Sequence, residues 1–260
     1  MFKLIKYEII GKYKALGILS IIIIILNLLL LTRWNSWGKG PVIALSIMIS
    51  TVATVVLFIW CIGIFSHDVY DDKGYLTFTI PQSGYSILGS KLIVSLIFSI
   101  IISIVSGIFI YGFTINTVDI SKELDTAGVK INIITSVLFV ISMYAESILG
   151  LLEIYFAITI TRLAVFRKKL GKFIAFVAFI IEMVILGFVN WGLGKIFPQE
   201  LHVKIFNGVS GSIANFSGSG TDIFTNGISI EIVRDLVFPI LLFIGLFMAT
   251  SYMIEKKIDL

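Results

Sequence analysis

Six long apolar runs, separated by short polar segments, constrain this chain more than any other feature. A helix rises 1.5 Å per residue, so roughly 20 apolar residues cross a hydrocarbon core about 30 Å thick. The runs lie at about 15–31, 42–65, 92–115, 132–160, 173–193 and 236–254. The chain's 260 residues are 58% hydrophobic and 14% charged, where soluble domains are nearer 25% charged. That leaves too little polar surface to cover a water-soluble globule, so lipid must solvate much of the exterior. The reading is a single all-α integral membrane domain over residues 1–260, with six transmembrane helices. No internal repeat and no second soluble domain is expected.

Lysine and arginine set the orientation, because cytoplasmic loops carry the excess of them. With the N-terminus in the cytoplasm, the inside segments hold 13 of the 20 basic residues and the outside segments hold 7. Both termini are therefore expected in the cytoplasm. Trp34, Trp37 and Trp191 then fall near the outer interface, as an aromatic belt. The first run is long, and Arg33-Trp34-Asn35 follows it instead of a small-residue cleavage motif, which reads as a retained anchor. Residues 2–14 place Phe2, Ile5, Ile9 and Tyr13 at helical spacing with lysines between. That pattern suits an amphipathic helix on the inner leaflet, or an ordinary basic flank. The segment from Gly194 to Asp235 is the longest outer loop; its flanks LHVKIF and ISIEIV have the apolar content to dip into the interface.

Several chemistries are excluded. No GxxxxGK[ST] motif is present, so the chain has no P-loop for ATP phosphates. There is no HExxH and no GxSxG. The two histidines, His67 and His202, fall on opposite sides of the membrane in this topology and share no metal site. A single cysteine, Cys61, rules out an intrachain disulfide. The basic charge is accounted for by topology, without nucleic acid. A catalytic role for the chain, or a cofactor of its own, is not expected.

Three acidic residues lie within the runs: Glu146 and Glu153 in the fourth, Glu182 in the fifth. A charge at that depth costs roughly 2.5–3.5 kcal/mol on insertion scales, so each needs a reason. Glu146 and Glu153 are seven residues apart and share one helical stripe. The three either line a translocation path or act as polar glue between helices. Ser95, Ser99, Ser103 and Gly107, and likewise Ser46, Ser50 and Thr54, recur at four-residue spacing. Such rows let helix backbones approach closely, and packing is favoured over a pore lining.

The segment after the second run reads FSHDVYDDKGYLTFTIPQSGYSILGSK, from Phe65 to Lys91. It has an acidic opening at Asp68, Asp71 and Asp72, a turn at Gly74, an extended YLTFTI, a break at Pro81 and a restart at Ser83, a residue suited to N-cap a short helix. Apolar side chains on a polar connection need something to pack on. The readings are headgroup contact or a docking surface for a cytoplasmic partner, with Tyr75, Phe78, Tyr85 and Leu88 as anchors and the aspartates as rim charges.

The pattern Phe65, Asp68, Gly74 to Thr79, Pro81, Ser83, Gly89 and Lys91, followed by a span, resembles the membrane subunits of bacterial ATP-binding-cassette exporters of the type 2 class. Six spans, cytoplasmic termini, a basic N-terminal interfacial helix and a long last outer loop fit the same layout. The resemblance implies that this segment forms a coupling helix seated on a separate ATPase, with contacts from Tyr75, Phe78, Pro81, Ser83, Tyr85 and Leu88. It implies two permease chains, identical or paralogous, and an ATPase dimer that binds the ATP and magnesium. The location implied is the bacterial cell membrane. The substrates implied are hydrophobic or amphipathic: an antimicrobial peptide, a drug or a lipid. The small size is similar to that of peptide-export and immunity permeases. The rival expectation is an ion-coupled carrier that uses Glu146, Glu153 and Glu182 as proton sites and needs no ATPase.

Overall fold

The computed structural model describes residues 2–70, 83–115, 130–131, 133–163, 171–197, 200–203, 206–207, 228–231, 235 and 237–256. Its helices are α1 (Phe2–Thr32), α2 (Trp34–Trp37), α3 (Lys39–Tyr70), α4 (Gly84–Ile115), α5 (Ile133–Leu163), α6 (Gly171–Ile196) and α7 (Phe238–Lys256). All except the four-residue α2 are long and apolar enough to cross a membrane. Ile18, Leu29, Ile59, Ile108, Phe188 and Leu241 are each more than half exposed. Large apolar side chains on the outside of a helical bundle are the arrangement that lipid solvates. The chain is a multi-pass membrane protein.

The helices outrun the apolar runs that announce them. α1 has 31 residues and α4 has 32, about 46 and 48 Å at 1.5 Å per residue, against a hydrocarbon core of about 30 Å. Two sequence expectations change accordingly. Residues 2–14 are the first turns of α1 and not a separate interfacial helix. The short helix expected after Pro81 is the beginning of α4, continuous with the third span.

α4 is the hub. It packs against α1, α3, α5 and α7, while α5 also meets α3 and α7. α6 lies outermost and packs chiefly on α5. The main core joins Ile23 of α1, Leu57 and Phe65 of α3, Leu88 and Phe98 of α4, and Leu152 and Tyr155 of α5. Phe65 stacks on Tyr155 with ring centroids 4.2 Å apart, and Trp60 stacks on Phe98 at 5.5 Å. Helices in lipid gain little from the hydrophobic effect between them, so such close packing carries their association. A second cluster, Leu30, Val42 and Phe113, closes the opposite end, where Trp34 stacks on Phe113. Gly38, between α2 and α3, takes φ +80°, a conformation that glycine adopts without strain.

The polar rows pack in part. Ser95 is buried, but Ser103 and Gly107 on the same row are exposed. Four-residue steps advance 400° against a 360° turn, so the row drifts about 40° per step off the buried face. Ser46 is buried and donates to Asn27 Oδ1 at 2.7 Å, tying α3 to α1. Parts of the loop flanks pair as strands. Glu200–Val203 pairs antiparallel with Ile228–Glu231 in the register Leu201↔Ile230, and Lys130–Ile131 pairs with Phe206–Asn207. Strand pairing satisfies the backbone groups that a lone segment at the interface would leave open.

Candidate functional site

Lys91, in the second turn of α4, is 2% exposed. Its Nζ donates to Glu8 Oε1 of α1 at 3.0 Å and also to Asp68 Oδ2, in the last turn of α3. One ammonium thus joins three helices. A buried lysine with no countercharge would be expelled or neutralised; two carboxylates hold it. The cluster carries one positive and two negative groups, and Glu8 Oε2 is buried with no hydrogen-bond partner. Tyr155, 1% exposed, sits within electrostatic range of Glu8 and Asp68. Its hydroxyl donates to the Cys61 carbonyl at 3.1 Å.

This cluster lies where the segment 71–82 leaves α3 and enters α4, and other contacts grip the same two points. On the α3 side, the Tyr70 hydroxyl lies 2.7 Å from Thr161 Oγ1 of α5. On the α4 side, the Ser83 carbonyl accepts from Ser86 N at 2.9 Å and Ile87 N at 3.2 Å, opening the helix as its N-cap. Gly84 N donates to Glu255 Oε2 of α7 at 3.3 Å. A carboxylate there also faces the positive end of the α4 dipole. Gly84 is required by space: a Cβ would overlap the Ser251 carbonyl oxygen of α7. Tyr85 tilts against Phe247 of α7 with centroids 5.9 Å apart and stays 44% exposed. Together α1, α3, α4, α5 and α7 meet at the roots of the segment. The first turns of α1 and the last turns of α7 lie at this same end of the bundle.

Of the six anchor candidates, Tyr75, Phe78 and Pro81 fall outside the described residues, as do Asp71 and Asp72. Ser83 and Tyr85 are exposed at the root of the segment. Leu88 is a correction. It is 0% exposed and belongs to the main core, because a helix continuous with the span turns that position inward. It is a packing residue, not a docking anchor. Asp68 is likewise corrected from a rim charge to a member of the buried ion cluster. The cluster itself was missed as a site. Its sequence signal was present: Glu8 is the only acidic residue before Asp68, set among four lysines.

The three glutamates separate. Glu146 is exposed on α5. Glu153 is buried on α5, and Glu182 of α6 lies near enough to feel its charge. The match in depth is visible in the numbering, each being nine residues from the span end where α5 leads into α6, Arg162 or Phe173. Glu182 Oε1 is buried with no hydrogen-bond partner. Among the described residues no group of histidine, cysteine and acidic side chains is placed to hold a metal ion.

No family model, curated protein or solved structure matches this chain.

Proposed function

We propose that the chain is the membrane-spanning permease subunit of an ATP-driven exporter of the ATP-binding-cassette type. Both termini and the segment 71–82 face the cytoplasm of a bacterial cell. A separate ATPase dimer, holding the ATP and magnesium, docks there, and a second permease chain, identical or paralogous, completes the transporter. The substrate is hydrophobic or amphipathic.

One observation carries the reading: the segment is rooted in a node where five helices meet. A force on Tyr75, Phe78 or Tyr85 would reach α3 and α4 directly. It would reach α1 through Lys91 and Glu8, α5 through Tyr70 and Thr161, and α7 through Gly84 and Glu255. A packed, hydrogen-bonded junction of this kind moves as a unit, which coupling requires. A connection serving only to join two spans needs neither a buried ion cluster at its roots nor apolar residues in its sequence.

The test is purification of the tagged chain from native membranes, with partners identified by mass. A subunit bearing a P-loop should accompany it in stoichiometric amount. The triple variant Tyr75→Ala, Phe78→Ala and Tyr85→Ala should lose that subunit while inserting normally. Recovery of no P-loop subunit, with transport abolished by Glu153→Gln and Glu182→Gln, would replace this reading with the ion-coupled carrier.

A further inference from the structure

We propose that the cleft between α5 and α6 binds a lipophilic amine, a hydrocarbon body ending in one ammonium group, taken up from the bilayer. As the substrate entry of an exporter it rests on the function above; as a binding site it needs no ATPase.

The cleft is open on its outer side and offers about 340 Å³, within the size range of small-molecule sites. It exists because Ala157 of α5 and Ala178 of α6 leave room between larger neighbours. Phe156, Ile160 and Ile185 make its walls apolar. Among the described residues, Glu182 is the one polar side chain in its lining. Among the described residues no lysine, arginine or histidine lines it, and a second carboxyl, Glu153, is close enough to act on Glu182. Glu182 thus sets one carboxyl in an apolar wall, with one of its oxygens buried and unpaired among the described residues and a second acidic side chain, Glu153, at the same depth.

The chemistry selects among occupants. An alkyl chain alone would fill the cleft and leave the carboxyl unsatisfied. An anionic phosphate lipid would set a second acidic group beside the carboxyl and bring no positive charge. A divalent metal needs more oxygen ligands than the lining supplies. A primary ammonium brings three donors and the missing positive charge, and its pairing with a carboxylate strengthens as water is excluded. The hydrocarbon body then lies along Ile160 and Ile185. Exposure of α6 toward lipid gives such a molecule a lateral route in.

The probe is dodecylamine bearing a diazirine in its chain, applied to the purified chain in phosphatidylcholine nanodiscs. Photolabelled positions are read by mass spectrometry. Labelling is expected within 156–160 and 178–186. Excess dodecylamine should suppress it and dodecanol should not. Glu182→Gln should weaken labelling by about tenfold or more, the value of one hydrogen bond to a charged group. The comparison of amine with alcohol on the unaltered chain needs no variant, so a misfolded Glu182→Gln protein leaves the test standing. Equal displacement by dodecanol, or labelling spread over all lipid-facing helices, marks an ordinary lipid groove and overturns the proposal. Neither result touches the recovery of a P-loop subunit, so failure of the site and failure of the exporter reading are told apart.

Discussion

At the scale of single residues, Lys91 and Leu88 separate two kinds of importance. Replacing Lys91 by Met leaves the partly exposed Glu8 and Asp68 carboxylates facing each other without their cation. Removing one partner of a fully buried pair costs about 3–5 kcal/mol, and the solvent contact of the two carboxylates here should keep the loss below that. The thermal midpoint of the purified chain should fall, and the triple variant Lys91→Met, Glu8→Gln and Asp68→Asn should recover most of the loss. If Lys91→Met alone is as stable as the parent, the cluster does not hold these helices together. Leu88→Ala removes a fully buried side chain and should cost about 2–5 kcal/mol, whereas Tyr85→Ala, at a 44% exposed position, should change stability far less. The same melting experiment ranks the two, and the reverse order would return Leu88 to the surface. Glu8 and Asp68 stood out in the chain as the first two acidic residues, but their pairing with Lys91 did not. Glu8 stands 83 positions from it and Asp68 stands 23, and helical periodicity gives the buried face of one helix without naming the helix it faces.

At the scale of elements, the apolar runs located all six spans, because hydrocarbon thickness imposes a length that sequence displays directly. The ends were not legible. A helix continues into polar flanks wherever its backbone bonds can, so α1 begins at Phe2 and α4 at Gly84, well before their apolar stretches. The Gly84 contact explains why α4 starts where it does: only a residue without a Cβ lets its first turn rest on α7. Gly84→Ala should force the two helices apart at a cost of about 1–3 kcal/mol, as overpacking does. It should also weaken any partner held at the adjoining segment. Orientation is an element-scale prediction as well, carried by the 13-to-7 basic asymmetry. In a Cys61→Ser background, a cysteine at Ser36 should react with an impermeant thiol reagent added to intact cells, and one at Ser83 should react only after lysis. The opposite pattern would invert the protein in the membrane.

At the scale of the whole molecule, the account places force transmission at one end of a six-helix bundle and ligand chemistry part-way along α5 and α6. Glu153 and Glu182 were visible in the sequence as unusual residues; that they come together, and that Glu146 stands apart, depended on how α6 leans on α5. Tyr75 and Phe78 lie outside the described residues and stand as a sequence expectation, and the central claim depends on what touches them. A photo-crosslinking amino acid at Phe78, irradiated in living cells, reads that contact directly. The account predicts one dominant adduct, to a P-loop ATPase subunit, and no such adduct from the same probe at Trp37, at the opposite end of the bundle. An adduct to lipid alone at Phe78, or none to any P-loop protein, would contradict it.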